Sequence, residues 1–334
     1  MDPISHAAFG YTIVRVVRAP MPRLALAASI GALAPDLDSV LMPFGWDLYL
    51  RAHEIGTHTL IGSVPVAVAA AVVARARSRL PLGPLFRVAW LAVVSHLFLD
   101  VVSGARIRIL WPFGNTRTMV PLVAMAEPWV LGICVLGVAA MALGRVRARR
   151  TATVIVSVVA LGLAVKGVWL VEALGTLPTS ASDAVQARIV EAQWASVRQW
   201  NVFTRTSTRF AQTSIAPGRK PQTLDEWPIA SDFPLAVRSR ELATVRNLQT
   251  THELTFAREH LVGDGSTVVL WSDIRFCWRP SGNSEAQRGP LALGSGPAHV
   301  ACALWVGGTY DPLGRAVNQR VQVFGLWQTR SVPR

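Results

Sequence analysis

The sequence predicts a mainly α-helical membrane bundle of three helical hairpins, followed by a mostly β extramembrane domain. Three observations predict it. Of 334 residues, 51% are hydrophobic and only 16% are charged, against about 25% charged in soluble domains, and the mean hydropathy is +0.36. Six apolar stretches pair off around three clusters of arginine. Beyond Gly175 the apolar runs give way to alternating β-branched, aromatic and polar residues, the pattern of half-buried strands. This composition excludes a disordered chain and argues against an ordinary soluble enzyme.

The first pair of apolar stretches, His6–Arg18 and Arg23–Ala34, has about 12 or 13 residues in each arm. Such helices are about 20 Å long, less than the roughly 30 Å of a bilayer core. They read as a re-entrant pair or as a hairpin that does not cross completely. Leu60–Ala74 and Leu85–Val102 form the second pair. Val123–Leu143 and Thr151–Leu174 form the third, and both of these are long enough to span. Thr176–Arg198 reads as a polar or amphipathic helix. Strands are expected at Val237–Arg246, Gln249–Phe256, Ser266–Phe276, Ala301–Gly307 and Arg320–Gln328, with loops at Pro217–Pro234 and Pro280–Pro297. The expected domains are thus 1–175, helical and in the membrane, and 176–334, mixed and mostly β.

The net charge of +13 rests on arginine, since Lys166 and Lys220 are the only lysines. A basic excess of this size suits nucleic acid or an anionic membrane, and its location separates the two. Residues 1–174 carry 16 Lys+Arg against 8 Asp+Glu, and residues 175–334 carry 17 against 12. In the first half the arginines cluster at the hairpin turns: Arg15, Arg18 and Arg23; Arg75, Arg77, Arg79 and Arg87; Arg145, Arg147, Arg149 and Arg150. Basic turns between apolar segments are the positive-inside signature, so these turns are expected in the cytoplasm. Arg51, Arg106, Arg108 and Arg117 fall on the other side. No nucleic-acid partner is expected. The chain reads as a multi-pass inner-membrane protein with its C-terminal domain outside the cytoplasm. Cys134, Cys277 and Cys302 have no metal-type spacing. Cys277 and Cys302 either pair, if their domain is extracytoplasmic, or are buried thiols. No cleaved signal peptide is read at the N-terminus.

Apart from Asp2, Asp47 and Glu172, the acids and histidines of the first half gather at the ends opposite the arginine turns. His6 opens the first apolar stretch, and Asp36 and Asp38 follow the second. His53, Glu54 and His58 precede the third, His96 and Asp100 end the fourth, and Glu127 opens the fifth. Ionisable groups at membrane depth are costly and mark function by default. Imidazole and carboxylate ligands from several elements suit a divalent ion. His96 and Asp100, four residues apart, share one helix face. His53 and His58 are five apart, about 140° on an ideal helix, so they do not form the His-Glu-x-x-His protease motif; a loop at Gly56 brings them together only if the chain leaves the helix there. The expected ligands are His6, Asp36, His53, His58, His96, Asp100 and Glu127. Asp38 or Glu54 is expected as a further ligand or as a general base. Each also has a plainer reading, as a core histidine, a turn carboxylate or a helix cap.

Residues His6, Pro35-Asp36-Leu37-Asp38, His53-x-x-x-Thr57-His58-Thr59, Ser95-His96-x-x-x-Asp100 and Trp111-Pro112-Phe113 come in an order that resembles the YdjM-type family. Its members are membrane-associated metal-dependent hydrolases, also described as LexA-binding inner-membrane proteins. The likeness covers about residues 1–175, and Ser272-Asp273-Ile274-Arg275-Phe276 resembles a segment of the longer members. The family commonly has Arg at Glu54, Ser at Thr59 and Asp at Glu127. The first departure leaves Glu54 either an added ligand or a replaced surface cation. More distantly, the helical pattern with His-x-x-x-Asp is similar to zinc-dependent phospholipase C and the related zinc nucleases.

Two functions follow as expectations. The first is a membrane-bound metal-dependent hydrolase, with zinc favoured by the imidazole content, acting on a phosphoester or ester of a lipid or envelope substrate. In it Arg51, Arg106 and Arg117 hold an anionic head group, as guanidinium matches phosphate; their plainer role is anchoring at the lipid head groups. The second is a non-enzymatic membrane binding or regulatory protein with a structural metal. An ion transporter fits less well, because the acids lie at helix ends rather than mid-span.

Overall fold

A computed structural model describes residues 1–17, 22–44, 49, 53–144, 147–178, 185–229, 233–278, 301–323 and 326–331. The chain divides into two compact units. One comprises Met1–Leu177 with Val190–Asn201 and Ser214–Pro221; the other comprises Pro178–Ile189, Val202–Thr213 and Gln222–Arg334.

The first unit is built on six helices: α1 (Pro3–Val17), α2 (Pro22–Leu33), α3 (Leu60–Ser78), α4 (Leu82–Val102), α5 (Pro128–Ala142) and α6 (Ala148–Leu174). A 3₁₀ segment, Pro35–Phe44, follows α2, and a wide π-type turn, His53–Thr57, precedes α3. Helices α3, α4 and α6 are long and apolar enough to cross a membrane, and α2 with the 3₁₀ segment makes a fourth candidate bent by 48°. Pro35 causes the bend, because it lacks the N–H that would continue the helix.

Helices α2, α3 and α4 meet along small residues. Ala27, Ala28, Ala67, Ala70, Ala71, Ala74 and Ala89 are fully or almost fully buried in one cluster. Gly31 crosses α4 so closely that a Cβ there would lie 2.6 Å from the Ala89 carbonyl oxygen. Between apolar helices in lipid, such close backbone approach replaces the hydrophobic driving force. A second cluster, with Phe9, Leu99, Val130, Cys134, Ile155 and Val159, joins α1, α4, α5 and α6.

The third hairpin differs from expectation. Residues 123–127 are not helical, and α5 has only 15 residues, about 22 Å, short of a bilayer core. Pro128 occupies the first helical position with Glu127 before it, where proline starts a helix rather than extends one.

The C-terminal half is strand-rich. Strands β1 (Ala187–Ala192), β2 (Trp200–Arg205), β3 (Arg209–Ile215) and β4 (Gln222–Pro228) lie in the order β1-β2-β3-β4. Helices α7 (Pro234–Ser239) and α8 (Ala243–Thr251) follow. Then come β5 (Thr255–Leu261), β6 (Thr267–Asp273), β7 (Cys277–Trp278), β8 (Ala301–Cys302), β9 (Leu304–Tyr310), β10 (Ala316–Val323) and β11 (Leu326–Ser331). An antiparallel five-stranded sheet runs β11-β10-β9-β6-β5. Strands β7 and β8 pair with Cys277 opposite Cys302, and the two are joined by a disulfide.

Four local expectations are corrected. Part of Thr176–Arg198 is strand β1, not helix; it finds its partner in β2. Val237–Arg246 falls on helices α7 and α8 with a turn at 240–242 between them, and Gln249–Phe256 starts in α8, because Pro234 pre-sets the first turn of α7 and the buried Thr244, Val245 and Leu248 of α8 follow a helical period. Pro217–Pro234 contains strand β4 as well as loop. The expected loop Pro280–Pro297 lies outside the described residues.

Candidate metal centre

The break after α2 and the close α2–α4 crossing assemble the centre. Because α2 stops at Leu33, the Ala32 carbonyl lacks its usual helical donor four residues on. His96 Nδ1 donates to it at 2.7 Å. A carbonyl only accepts, so this bond fixes the proton on Nδ1 and leaves the Nε2 lone pair facing inward. The next turn of α4 brings Asp100 to the same face: its Oδ2 lies 3.1 Å from His96 Nε2.

A second hydrogen-bond chain sets His58. Asp38 Oδ2 accepts the Thr57 hydroxyl at 2.6 Å, which consumes the only proton of that hydroxyl. Thr57 Oγ1, 2.9 Å from His58 Nδ1, therefore accepts from it. His58 Nε2 is left bare and stands 3.1 Å from His96 Nε2. Asp38 also accepts from His53 Nδ1 at 3.0 Å. The π-type turn His53–Thr57 makes this possible: its wider winding brings residues five apart toward one side, and the His53 and His58 rings lie 3.8 Å apart.

Asp36, placed first after Pro35, completes the group. Its Oδ1 is 3.4 Å from His58 Nε2 and 3.6 Å from His96 Nε2, and Asp100 Oδ2 is 3.4 Å from His58 Nε2. Four acceptor atoms thus face one another with no donor between them. Five of their six separations, 3.1–3.6 Å, lie near the edge of a tetrahedron around an ion with ligands at 2.0–2.1 Å, about 3.3–3.4 Å. A cation belongs among them: a proton in the metal-free protein, or a metal ion in its place. Burial opposes charge on His58, but Asp100 and Asp36 outweigh it and push the imidazole up to about 9. The same concentrated negative charge draws a dication.

His6 extends the cluster. Its ring stacks on His96 at 3.6 Å. Its Nε2 lies 3.2 Å from Asp100 Oδ1 without hydrogen-bond alignment, and its buried Nδ1 has no hydrogen-bond partner among the described residues. Asp100 Oδ1 also accepts from the Met1 amino group. Two triads of metal-binding type result, His6–His96–Asp100 and Asp36–His53–His58, with ligand atoms within 4.8 Å in each. His6, His58, His96 and Asp100 are buried, while the side chains of Asp36 and His53 are 31% and 25% exposed. The donor set is therefore partly accessible along the Asp36–His53 edge.

The other expected residues fall differently. Glu127 stands apart from the cluster: its Oε2 accepts from the Ala124 N–H at 3.0 Å and lies 3.5 Å from Lys166 Nζ. Both side chains are 2% exposed, and a buried carboxylate with a cation at hand pairs with it. Glu54 lies in the π-type turn. Arg117 lies in the loop closed by the Ile107–Thr118 bridge and Arg106 immediately precedes it. That loop is anchored beside the centre, by Ala105 N–H to the Asp100 carbonyl at 3.0 Å and Leu60 N–H to the Ile109 carbonyl at 2.9 Å. Arg51 lies outside the described residues. Thr57 and the Ala32 carbonyl orient both central histidines, and the sequence reading assigned neither a role. A hydroxyl next to His58 and a carbonyl three residues before a proline were the available signals.

The fold and this cluster define a class: a helical membrane protein with a buried His/Asp centre able to hold a metal ion. The family model described as YdjM inner membrane protein matches residues 1–173. The chain belongs to this family. No curated protein and no solved structure matches it.

Proposed function

We propose that the protein is a membrane-bound metal-dependent hydrolase acting on a phosphoester or ester bond of a lipid or envelope substrate. The observation that carries this reading is the partly accessible edge at Asp36 and His53 in an otherwise buried donor set, since hydrolytic centres keep an open position. Two or more imidazoles favour zinc over magnesium or calcium. His58, His96, Asp36 and Asp100 would hold the ion, with His6 and His53 extending the set. Bound zinc supplies Lewis acidity and a water whose pKa falls toward about 7.

The chain's own groups divide the remaining work. Asp38 orients His53 directly and His58 through Thr57, so we assign it a positioning role rather than that of a base. Glu54 stays a candidate ligand or general base on the sequence alone, its side chain lying outside the described residues. Arg106 and Arg117, just before and on the loop anchored at Asp100 and Leu60, would receive the anionic group of the substrate, where a planar guanidinium matches phosphate.

The second reading, a non-enzymatic membrane regulatory protein with a structural metal, is favoured by the four-donor set itself, which would fill a tetrahedral site. Elemental analysis of the purified protein, with hydrolysis assays on phosphodiester and carboxyl-ester lipids in micelles, separates the two. Cleavage that disappears with the metal in His96→Ala supports the hydrolase. A metal-loaded protein that cleaves neither class defeats it and leaves the structural reading.

We further propose that residues 176–334 lie outside the cytoplasm. The arginine-bearing turns support this side, as does the Cys277–Cys302 disulfide, a bond that persists in oxidising compartments. Protease added to spheroplasts should remove this region; protection until the membrane is lysed would reverse the topology.

A further inference from the structure

The strand-rich half contains a polar cleft of about 390 Å³ that the centre above does not use. Its walls come from the end of β2 (Arg205), the residue after α7 (Arg240), the end of α8 (Gln249) and the two residues beyond it (His252, Glu253), with Trp271 of β6 at the base. The walls are fixed independently of any ligand. Trp271 Nε1 donates to Ser239 Oγ at 2.7 Å, which ties α7 to β6. The Arg240 guanidinium lies 5.5 Å from the Trp271 ring. Arg205 is held by a 3.4 Å bond from Nη1 to the Glu253 carbonyl and by the Phe210 ring at 5.7 Å.

Arg205 is the informative residue. It is half-buried, and its Nε is shielded from solvent without a hydrogen-bond partner among the described residues. Among the described residues no carboxylate pairs with it; its polar contact is with a main-chain carbonyl. Desolvated charges are normally matched by an opposite charge. Among the described lining residues, two guanidinium groups stand against one carboxylate, a net positive charge even with His252 neutral. An oxyanion meets both needs, because its two oxygens suit the parallel donors of a guanidinium fork. The volume is that of a small-molecule site.

We propose that this cleft binds a small oxyanion, a carboxylate or phosphate group, with Arg205 and Arg240 as its principal contacts. The test is calorimetric titration of the full-length protein in detergent at constant ionic strength. Inorganic phosphate is used in one arm and succinate in the other. Saturable binding is expected in at least one arm, and the arm that binds identifies the anion. Arg205→Lys keeps the charge but removes the Nε donor and should weaken binding about tenfold. Arg240→Gln changes an exposed side chain with little risk to folding and should weaken binding likewise. Arg246→Gln, outside the cleft, should have no effect, and binding should persist in His96→Ala. No saturable binding in either arm overturns the proposal. So does binding indifferent to both cleft variants, or binding lost only with His96.

Discussion

His58 and His96 stand with their Nε2 atoms 3.1 Å apart, and each has its Nδ1 hydrogen already committed, one to Thr57 and the other to the Ala32 carbonyl. Two lone pairs held face to face, with Asp36 and Asp100 beside them, repel unless a cation lies between. The purified protein is therefore expected to carry a divalent metal at close to one or two equivalents. His58→Ala and His96→Ala should each lose the central ion, measured by elemental analysis after dialysis. Metal content unchanged in both variants would refute the centre.

Thr57 acts only through its hydroxyl, as a relay between Asp38 and His58. Thr57→Val should weaken metal binding by about 10–100-fold, the usual cost of losing a partner behind a ligand. Thr57→Ser should retain most of the affinity. Competition with a chromophoric chelator measures both. Equal affinity in the Val variant would mean that the relay does not set the histidine.

Glu127 and Lys166 form a buried pair away from the cluster. Removing either partner leaves an uncompensated charge and should cost about 3–5 kcal/mol, while a paired change to neutral residues costs less. Glu127→Ala is thus expected to unfold at lower denaturant than Glu127→Gln/Lys166→Met, with the metal content of both unchanged. Loss of metal from the double variant would return Glu127 to the ligand set.

Asp273 and Arg275 form a two-point ion pair, Nε to Oδ1 and Nη2 to Oδ2, each 2.9 Å, with side chains 0% and 7% exposed. Burial raises the Asp273 carboxyl, but the Arg275 guanidinium overcomes this and holds it below the ordinary value of 3.8. The folded protein thus releases this proton at lower pH than the unfolded chain does. Its stabilisation is complete above about pH 5 and fades as pH falls through 3.8 and below. The stability difference between wild type and Asp273→Asn should shrink on acidification across that window. A difference independent of pH would contradict the pair's role.

Much of this was legible in the residues. The apolar runs and arginine turns marked the hairpins, because helix length and loop charge are properties of contiguous sequence. The His96–Asp100 pair was legible too, since four-residue spacing fixes a shared helix face. The strand-rich half was read less well. The β-branched residues of α8 suggested strand at Val237–Arg246, yet the buried Thr244, Val245 and Leu248 sit at helical spacing against the sheet, and packing overrode propensity.

By itself the sequence determined the membrane helices, the end of the bundle that carries the ionisable groups and the family. Tertiary structure decided which of those groups meet. Asp36 enters the cluster while Asp38, two residues on, stands behind it. His53 and His58 converge through a wide turn, and Glu127 leaves for Lys166, 39 positions away. Each outcome depends on the rotation and depth of one helix against another. Those are set by contacts such as Gly31 on Ala89, between residues far apart in the chain.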